Sequence, residues 1–163
     1  MFRQIFKTFL ISSCLIASVA QAGDTKAALQ SLKSILNKSG APKIDGTDKA
    51  GDKQVPRLMF GAKKLNNNTD AVDEVKKRHG GTATIFAKDG DDFVRVTTNV
   101  LKEDGTRAIG TTLAHNKAYE SVSKGTTFCG DVEILGLPYD TCYEPFKDSA
   151  GNIIGLFYVG FKK

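Results

Sequence analysis

Hydrophobic residues recur at helical spacing near the start of the chain and at strand spacing further on. From Asp24 to Lys38 the apolar positions follow a period of three to four residues, and Gly40 stands where that pattern stops. The pattern predicts an amphipathic helix whose apolar side packs on a core. Residues 41–54 are rich in Gly, Asp and Lys and have no apolar period, so we expect a loop or linker there.

A second helix and a series of strands are predicted downstream. Capping residues at 66–70 precede a short helix, Ala71–Arg78, in which Val72 and Val75 mark the buried side. After Gly81 the apolar period changes to two, which is typical of strands. The strand-like runs are Thr82–Ala87, Phe93–Leu101, Arg107–Leu113, Phe128–Leu135, Tyr139–Phe146 and Ile153–Phe161.

Turn residues between these runs indicate antiparallel pairing. Asp89-Gly90 and Asp104-Gly105 are strong hairpin signals, so the first three strands are expected to pair in sequence. A short helix, Asn116–Lys124, interrupts the series, and residues 148–152 form a polar turn before the last strand. The chain is therefore predicted to be an α+β domain, with a central antiparallel sheet of five or six strands covered by an N-terminal helix and short helices.

The N-terminal segment has the composition of an export signal. Arg3 and Lys7 precede an acid-free apolar run, and Ala20-Gln21-Ala22 has the small-x-small form that signal peptidase cleaves. We expect residues 1–22 to be a signal peptide removed after Ala22, which predicts a periplasmic or secreted protein whose mature chain does not insert in the membrane. The run Ile11-Ser12-Ser13-Cys14 resembles a lipobox, so acylation of its cysteine is the minor alternative.

The remaining length fits one domain, divided into an N-terminal helix and linker, residues 23–54, and a folded domain, residues 55–163. The formal net charge of the whole chain is +5, and acids and bases are interspersed along it, so nucleic acid is not a predicted partner. Cys129 and Cys142 are the cysteines left after cleavage, and an even count in an oxidising compartment favours a disulfide. A metal pair or a redox dithiol fits their spacing poorly.

A series of motifs after residue 70 carries a resemblance to a known family. The motifs are Val72–Val75, Thr82–Phe86, Asp91–Asn99, Arg107–Thr111, Leu135–Tyr139, Tyr143–Asp148 and Ile154–Gly160. In their order and spacing, from Val55 onward, the chain resembles the extracytoplasmic Cache sensor domains of the Cache 3/Cache 2 fusion type. The resemblance implies a PAS-like fold that binds small molecules, often short carboxylates. Relatives usually sit between membrane helices of chemoreceptors or sensor kinases. This sequence shows no such segments, so we expect a standalone exported protein that presents its ligand to a membrane receptor or only holds it.

Arg95 is the candidate anchor for a carboxylate. Strand alternation predicts that Phe93, Arg95, Thr97 and Asn99 share one face. A guanidinium binds a carboxylate through two hydrogen bonds, and Thr97 and Asn99 would fix its orientation. A solvated face or an internal salt bridge fits the pattern equally well, with three candidate partners for Arg95: Asp73, Glu74 and Asp92.

A neighbouring strand supplies the other predicted wall of the pocket. Tyr139, Thr141 and Tyr143 alternate onto one face, and in Cache-like domains the ligand pocket lies over the central sheet beneath such residues. The alternative is that these rings only fill the core. The remaining candidate contacts are Phe86, Lys117 and Lys147. The two lysines could add positive charge near an anion, although most lysines are only solvated.

No motif indicates catalysis, a metal or a cofactor. His79 and His115 are the only imidazoles and lie far apart in sequence. Nucleotide-binding glycine motifs and the nucleophile-elbow motif are missing from the sequence. We therefore expect a binding protein that is not an enzyme and has no cofactor. The alternative is a ligand-free structural or interaction protein of the cell envelope.

Overall fold

The structure is a computed structural model, and it describes residues 23–163. The predicted signal peptide and the lipobox alternative at Cys14 lie outside the described residues. Within residues 23–163, no helix is both long and apolar enough to cross a membrane.

Two antiparallel sheets and three helices make up the described part of the chain. In chain order the elements are α1 (Thr25–Asn37), β1 (Pro42–Ala50), β2 (Lys53–Phe60), β3 (Lys63–Lys64), α2 (Asp70–His79), β4 (Thr82–Asp89), β5 (Asp92–Thr98), α3 (Lys117–Ser123), β6 (Phe128–Ile134), β7 (Leu137–Lys147) and β8 (Ile153–Lys162). The small sheet has the order β1-β2-β3 and the large sheet β5-β4-β8-β7-β6. The predicted α+β fold with a five-stranded antiparallel sheet is confirmed.

The loop predicted at residues 41–54 is wrong, because β1 and β2 form a hairpin there. Pro42 pairs with Phe60 and Ala50 pairs with Lys53. Most β1 side chains are exposed on both faces of the strand. Because neither face is buried, the sequence has no alternation of apolar and polar residues that would indicate a strand. The predicted boundary between residues 54 and 55 falls inside β2.

The strand predicted at Arg107–Leu113 is also wrong. This run lies along β5, where the Arg95 N–H donates to the Thr111 carbonyl at 2.9 Å and the Gly110 N–H donates to the Arg95 carbonyl at 2.9 Å. Gly110 has a φ of +83°, a conformation that interrupts a regular ladder, so only isolated bridges form. We call residues 107–113 the edge segment.

The large sheet buries side chains on both faces. One face packs against α1, α2 and β2, where Leu32, Leu36, Phe60 and Val72 are fully buried. The opposite face is covered by α3 and the edge segment. Its core contains Phe86, Phe93, Tyr143, Leu156 and Tyr158. Because both faces are buried, β8 is apolar almost throughout and has no alternating pattern.

The predicted disulfide between Cys129 and Cys142 is confirmed. The two residues lie directly opposite each other on β6 and β7, with their Cα atoms 4.1 Å apart. Cys142 is fully buried against the α1 side of the sheet. The bond therefore ties β6, the edge strand, to its neighbour β7.

Candidate functional site

Arg95 on β5 is the one charged side chain that is buried in residues 23–163, with 6% of it exposed. Its Cζ lies 5.0 Å from the ring centroid of Phe86, the residue it pairs with on β4. Both hydrogen bonds of the guanidinium leave from Nη1, to Thr111 Oγ1 at 2.8 Å and to the Thr112 carbonyl at 2.9 Å. The Nε atom is buried without a hydrogen-bond partner among the described residues.

No carboxylate of the described chain pairs with Arg95. The three candidates named from the sequence bind other residues: Asp73 binds Arg107 at 2.8 Å, Glu74 binds Arg78 at 2.7 Å and Asp92 binds His115 at 2.9 Å. A buried charge without a partner is costly because nothing replaces its lost hydration. Burial accordingly lowers the pKa of Arg95, although an arginine stays protonated in a protein. The guanidinium can therefore take an anion that the described residues do not supply.

Two tyrosines lie on the same face of the sheet as Arg95 and Phe86. Tyr143 on β7 pairs directly with Tyr158 on β8, their ring centroids are 4.8 Å apart, and each side chain is 1% exposed. Burial raises the pKa of both hydroxyls, and the positive charge of Arg95 acts in the opposite direction on both. Both hydroxyls therefore stay neutral.

Tyr158 was not predicted as a site residue, although it lies in the Ile154–Gly160 motif. The strand that contains Tyr158 is apolar on both faces. The sequence therefore has no alternating pattern that would show on which face Tyr158 lies. The only available signal is register, because Tyr158 stands opposite Tyr143 once β7 and β8 are paired.

Arg95 and Thr97 do not share a face, contrary to the alternation argument. Arg95 pairs with Phe86 and Thr97 pairs with Ile85, and these two β4 neighbours point to opposite faces. Val96 is therefore an additional residue in β5, and the bulge moves Thr97 away from Arg95. Counting alternate residues fails wherever a strand contains such an insertion.

Thr97 and Asn99 use their polar groups inside the fold. Thr97 Oγ1 donates to the Asn68 carbonyl at 2.7 Å. Asn99 Oδ1 accepts from the Ala83 N–H at 2.7 Å, and its Nδ2 donates to the Val72 carbonyl at 2.6 Å. These bonds join α2 and the segment before it to the large sheet.

The other residues named from the sequence are dispersed. Thr141, with its hydroxyl donating to the Gly130 carbonyl at 2.6 Å, and Tyr139 alternate with Tyr143 onto the Arg95 side of β7. Lys117 is exposed, with Nζ 5.6 Å from the Phe128 ring centroid. Lys147 is exposed at the end of β7. Neither lysine belongs to the buried cluster around Arg95.

Two open grooves lie away from Arg95. One of about 670 Å³ lies at the end of the sheet near Thr82, Tyr139 and Phe161, and the other of about 440 Å³ lies between residues 102–104 and Leu135. Arg95 itself is covered, as its low exposure shows. Within residues 23–163, no three His, Cys, Asp or Glu side chains come together as a metal site.

A family model described as the Cache 3/Cache 2 fusion domain matches residues 13–163. The matched range includes every helix and strand of the structure, the β1–β2 hairpin among them. No curated protein and no solved structure matches the chain.

Proposed function

Because the chain belongs to the Cache 3/Cache 2 fusion domain family, we propose that it binds a small organic anion whose carboxylate is held by Arg95. Cache domains are extracytoplasmic domains that sense small molecules. The observation that carries the proposal is the buried guanidinium, which has neutral acceptors on Nη1 and no carboxylate partner in residues 23–163.

The proposed site consists of Arg95, Phe86, Tyr143 and Tyr158. The guanidinium supplies charge-assisted hydrogen bonds, which are stronger than neutral ones. Its contact with the Phe86 ring keeps it on the face of the sheet that carries the two tyrosines. Tyr139 and Thr141 extend the wall along β7. Thr97 and Asn99 are left out of this site because their polar groups are bonded elsewhere.

The surroundings of Arg95 favour a ligand with one negative charge and no positive charge. The buried cluster on this face of the described chain is built of apolar and tyrosine side chains and contains no Asp or Glu. A buried ammonium group would find no counter-charge there, so its lost hydration would count against binding. Amines and zwitterions are therefore poor ligands in this proposal.

The edge segment must move before a ligand can reach Arg95, because this side chain is covered in the present structure. Thr111 and Thr112 hold Nη1 through a hydroxyl and a carbonyl, and a carboxylate is the stronger acceptor for a guanidinium. We propose that the anion replaces these bonds. With residues 1–22 acting as an export signal, the bound form would then be presented to a receptor in the membrane.

A thermal-shift and calorimetry panel tests the proposal. Acetate, propanoate and butanoate should raise the melting temperature of the purified protein, since a ligand at a hundred times its Kd adds about 2.7 kcal/mol of stability. Butylamine and adenine at equal concentration and matched ionic strength should have no effect. Stabilisation by none of the carboxylates, or equal stabilisation by the amine, would count against an anion site.

A further inference from the structure

The part of the edge segment that covers Arg95 is bonded to both its backbone and its side chain. The Gly110 N–H donates to the Arg95 carbonyl, and the Arg95 N–H donates to the Thr111 carbonyl, each at 2.9 Å. The guanidinium donates to Thr111 Oγ1 and to the Thr112 carbonyl. An anion that replaces the two side-chain bonds therefore acts on Thr111 and Thr112, and Gly110 is the next residue of the same segment.

The edge segment also touches the β1–β2 turn, residues 51–52. A Cβ at Gly110 would stand 2.5 Å from the Ala50 carbonyl oxygen, closer than real Cβ atoms come to another atom. A Cβ at Gly51 would stand 3.1 Å from the Ile109 carbonyl oxygen. The two backbones thus meet at glycines and have no free space between them. Movement of the edge segment towards the turn would push it, and movement away would open the contact.

Asn67 holds the end of β1, next to this turn, against β5. Its Nδ2 donates to the Lys49 carbonyl and its N–H donates to the Val96 carbonyl, both at 2.8 Å. Its φ is +60°, a conformation that asparagine tolerates better than most residues. Val96 follows Arg95 in β5. The turn is therefore connected to the strand that carries Arg95 in two ways, through the edge segment and through Asn67.

We propose that the β1–β2 turn responds to the anion at Arg95: the edge segment moves when the carboxylate takes Nη1, and the turn moves with it. This inference rests on the proposed function, because it needs the anion to replace the bonds from Thr111 and Thr112. It adds a route from a covered site to the surface, since both residues of the turn, Gly51 and Asp52, are exposed. A receptor that contacts this turn would sense the bound state without touching the ligand.

Backbone amide NMR spectra of the purified full chain, labelled with nitrogen-15 and titrated with propanoate, test the response. The Gly51 and Asp52 signals should move along a saturable curve whose Kd equals the value from calorimetry. The Ala150 and Gly151 signals are the internal control, because they belong to the β7–β8 turn, and they should stay in place. If propanoate binds and the Gly51 and Asp52 signals do not move, the inference fails and the anion site stands. If propanoate does not bind, both fail.

Asn67→Gly tests the same coupling from the side of the turn, because a coupling free energy acts equally in both directions. Glycine adopts the positive φ freely, and the substitution removes the bond to the Lys49 carbonyl. The turn then resists movement of the edge segment less, so propanoate should bind about two- to tenfold more tightly, as the loss of one restraining hydrogen bond allows.

Asn152→Gly is the matched control for this variant. The Asn152 side chain also bonds within a turn, where its Nδ2 donates to Asp148 Oδ2 at 3.1 Å, but that turn joins β7 to β8. Its affinity for propanoate should equal that of the parent protein. An Asn67→Gly protein whose affinity is unchanged or lower would overturn the inference.

Discussion

Replacing Arg95 with methionine should abolish carboxylate binding while leaving the domain folded. Removing one partner of a buried, hydrogen-bonded charge pair costs about 2 to 5 kcal/mol of binding free energy, which takes a millimolar ligand beyond detection. Folding should change by less than about 1 kcal/mol. The two Nη1 bonds and the contact with Phe86 are lost, but a buried charge without a carboxylate partner is removed with them.

Calorimetry with propanoate and urea unfolding without ligand measure the two effects separately. Arg78→Met is the matched control, since Arg78 is half exposed and pairs with Glu74 on α2, on the other side of the large sheet. This control should leave the affinity unchanged. If the Arg95→Met protein binds propanoate as tightly as the parent protein, Arg95 is not the residue that holds the carboxylate. One that fails to fold would show that Arg95 serves the core, and Arg95→Lys would then be compared with it for binding.

Replacing Asn99 with alanine should lower the free energy of unfolding by about 3 kcal/mol. The substitution leaves two buried backbone groups, the Ala83 N–H and the Val72 carbonyl, without their partners, and each orphaned group costs about 1 to 3 kcal/mol. Because these bonds join α2 to the large sheet, the loss should appear in the global unfolding transition, followed by urea titration.

The control for this prediction is Asn37→Ala, at the exposed last residue of α1. It should change the stability by less than about 0.5 kcal/mol, as surface substitutions generally do. Equal effects of the two substitutions would show that the Asn99 bonds contribute little. If Asn99→Ala weakens propanoate binding without lowering the free energy of unfolding, Asn99 belongs to the binding site.

The parts of the fold that the sequence predicts well are those decided by local chemistry. Asp24 caps α1 by accepting from the Ala27 N–H at 3.0 Å, and Asn116 caps α3 in the same way at 3.0 Å from the Ala118 N–H. The β4–β5 and β7–β8 turns were equally visible, because Gly and Asp residues supply their conformations within a few residues. Cysteine count and compartment were enough for the disulfide.

Long-range pairing decides the parts that the sequence does not predict. The exposed strand β1 has no apolar signal and is held by its ladder with β2. The bulge at Val96 becomes visible only when β5 is paired with β4, and it is this bulge that divides the predicted Arg95, Thr97 and Asn99 group. The sequence does indicate Arg95, because a cation in an apolar strand is unusual. It cannot show that Arg95 lacks a carboxylate partner, because that depends on where every carboxylate of the fold lies.

The two faces of the large sheet differ in composition and in what covers them. The face under α1 and α2 is a continuous apolar core, reinforced by Phe60 packing on Phe146 and Phe157 and by the Lys33–Glu144 ion pair between α1 and β7. The opposite face carries the polar groups of the proposed site and is covered by a seven-residue helix and the irregular edge segment. In our proposal, stability and ligand exchange therefore depend on opposite sides of one sheet.

The Nε–H resonance of Arg95 in a nitrogen-15 NMR spectrum tests the central claim most directly. Because this Nε is buried and unpartnered in the described chain, its signal should be protected from exchange and assignable by its loss in Arg95→Met. Titration with propanoate should move it along a saturable curve, because the carboxylate binds the guanidinium to which this Nε belongs. A signal that stays in place while backbone amides elsewhere respond to propanoate would show that the carboxylate binds at another site.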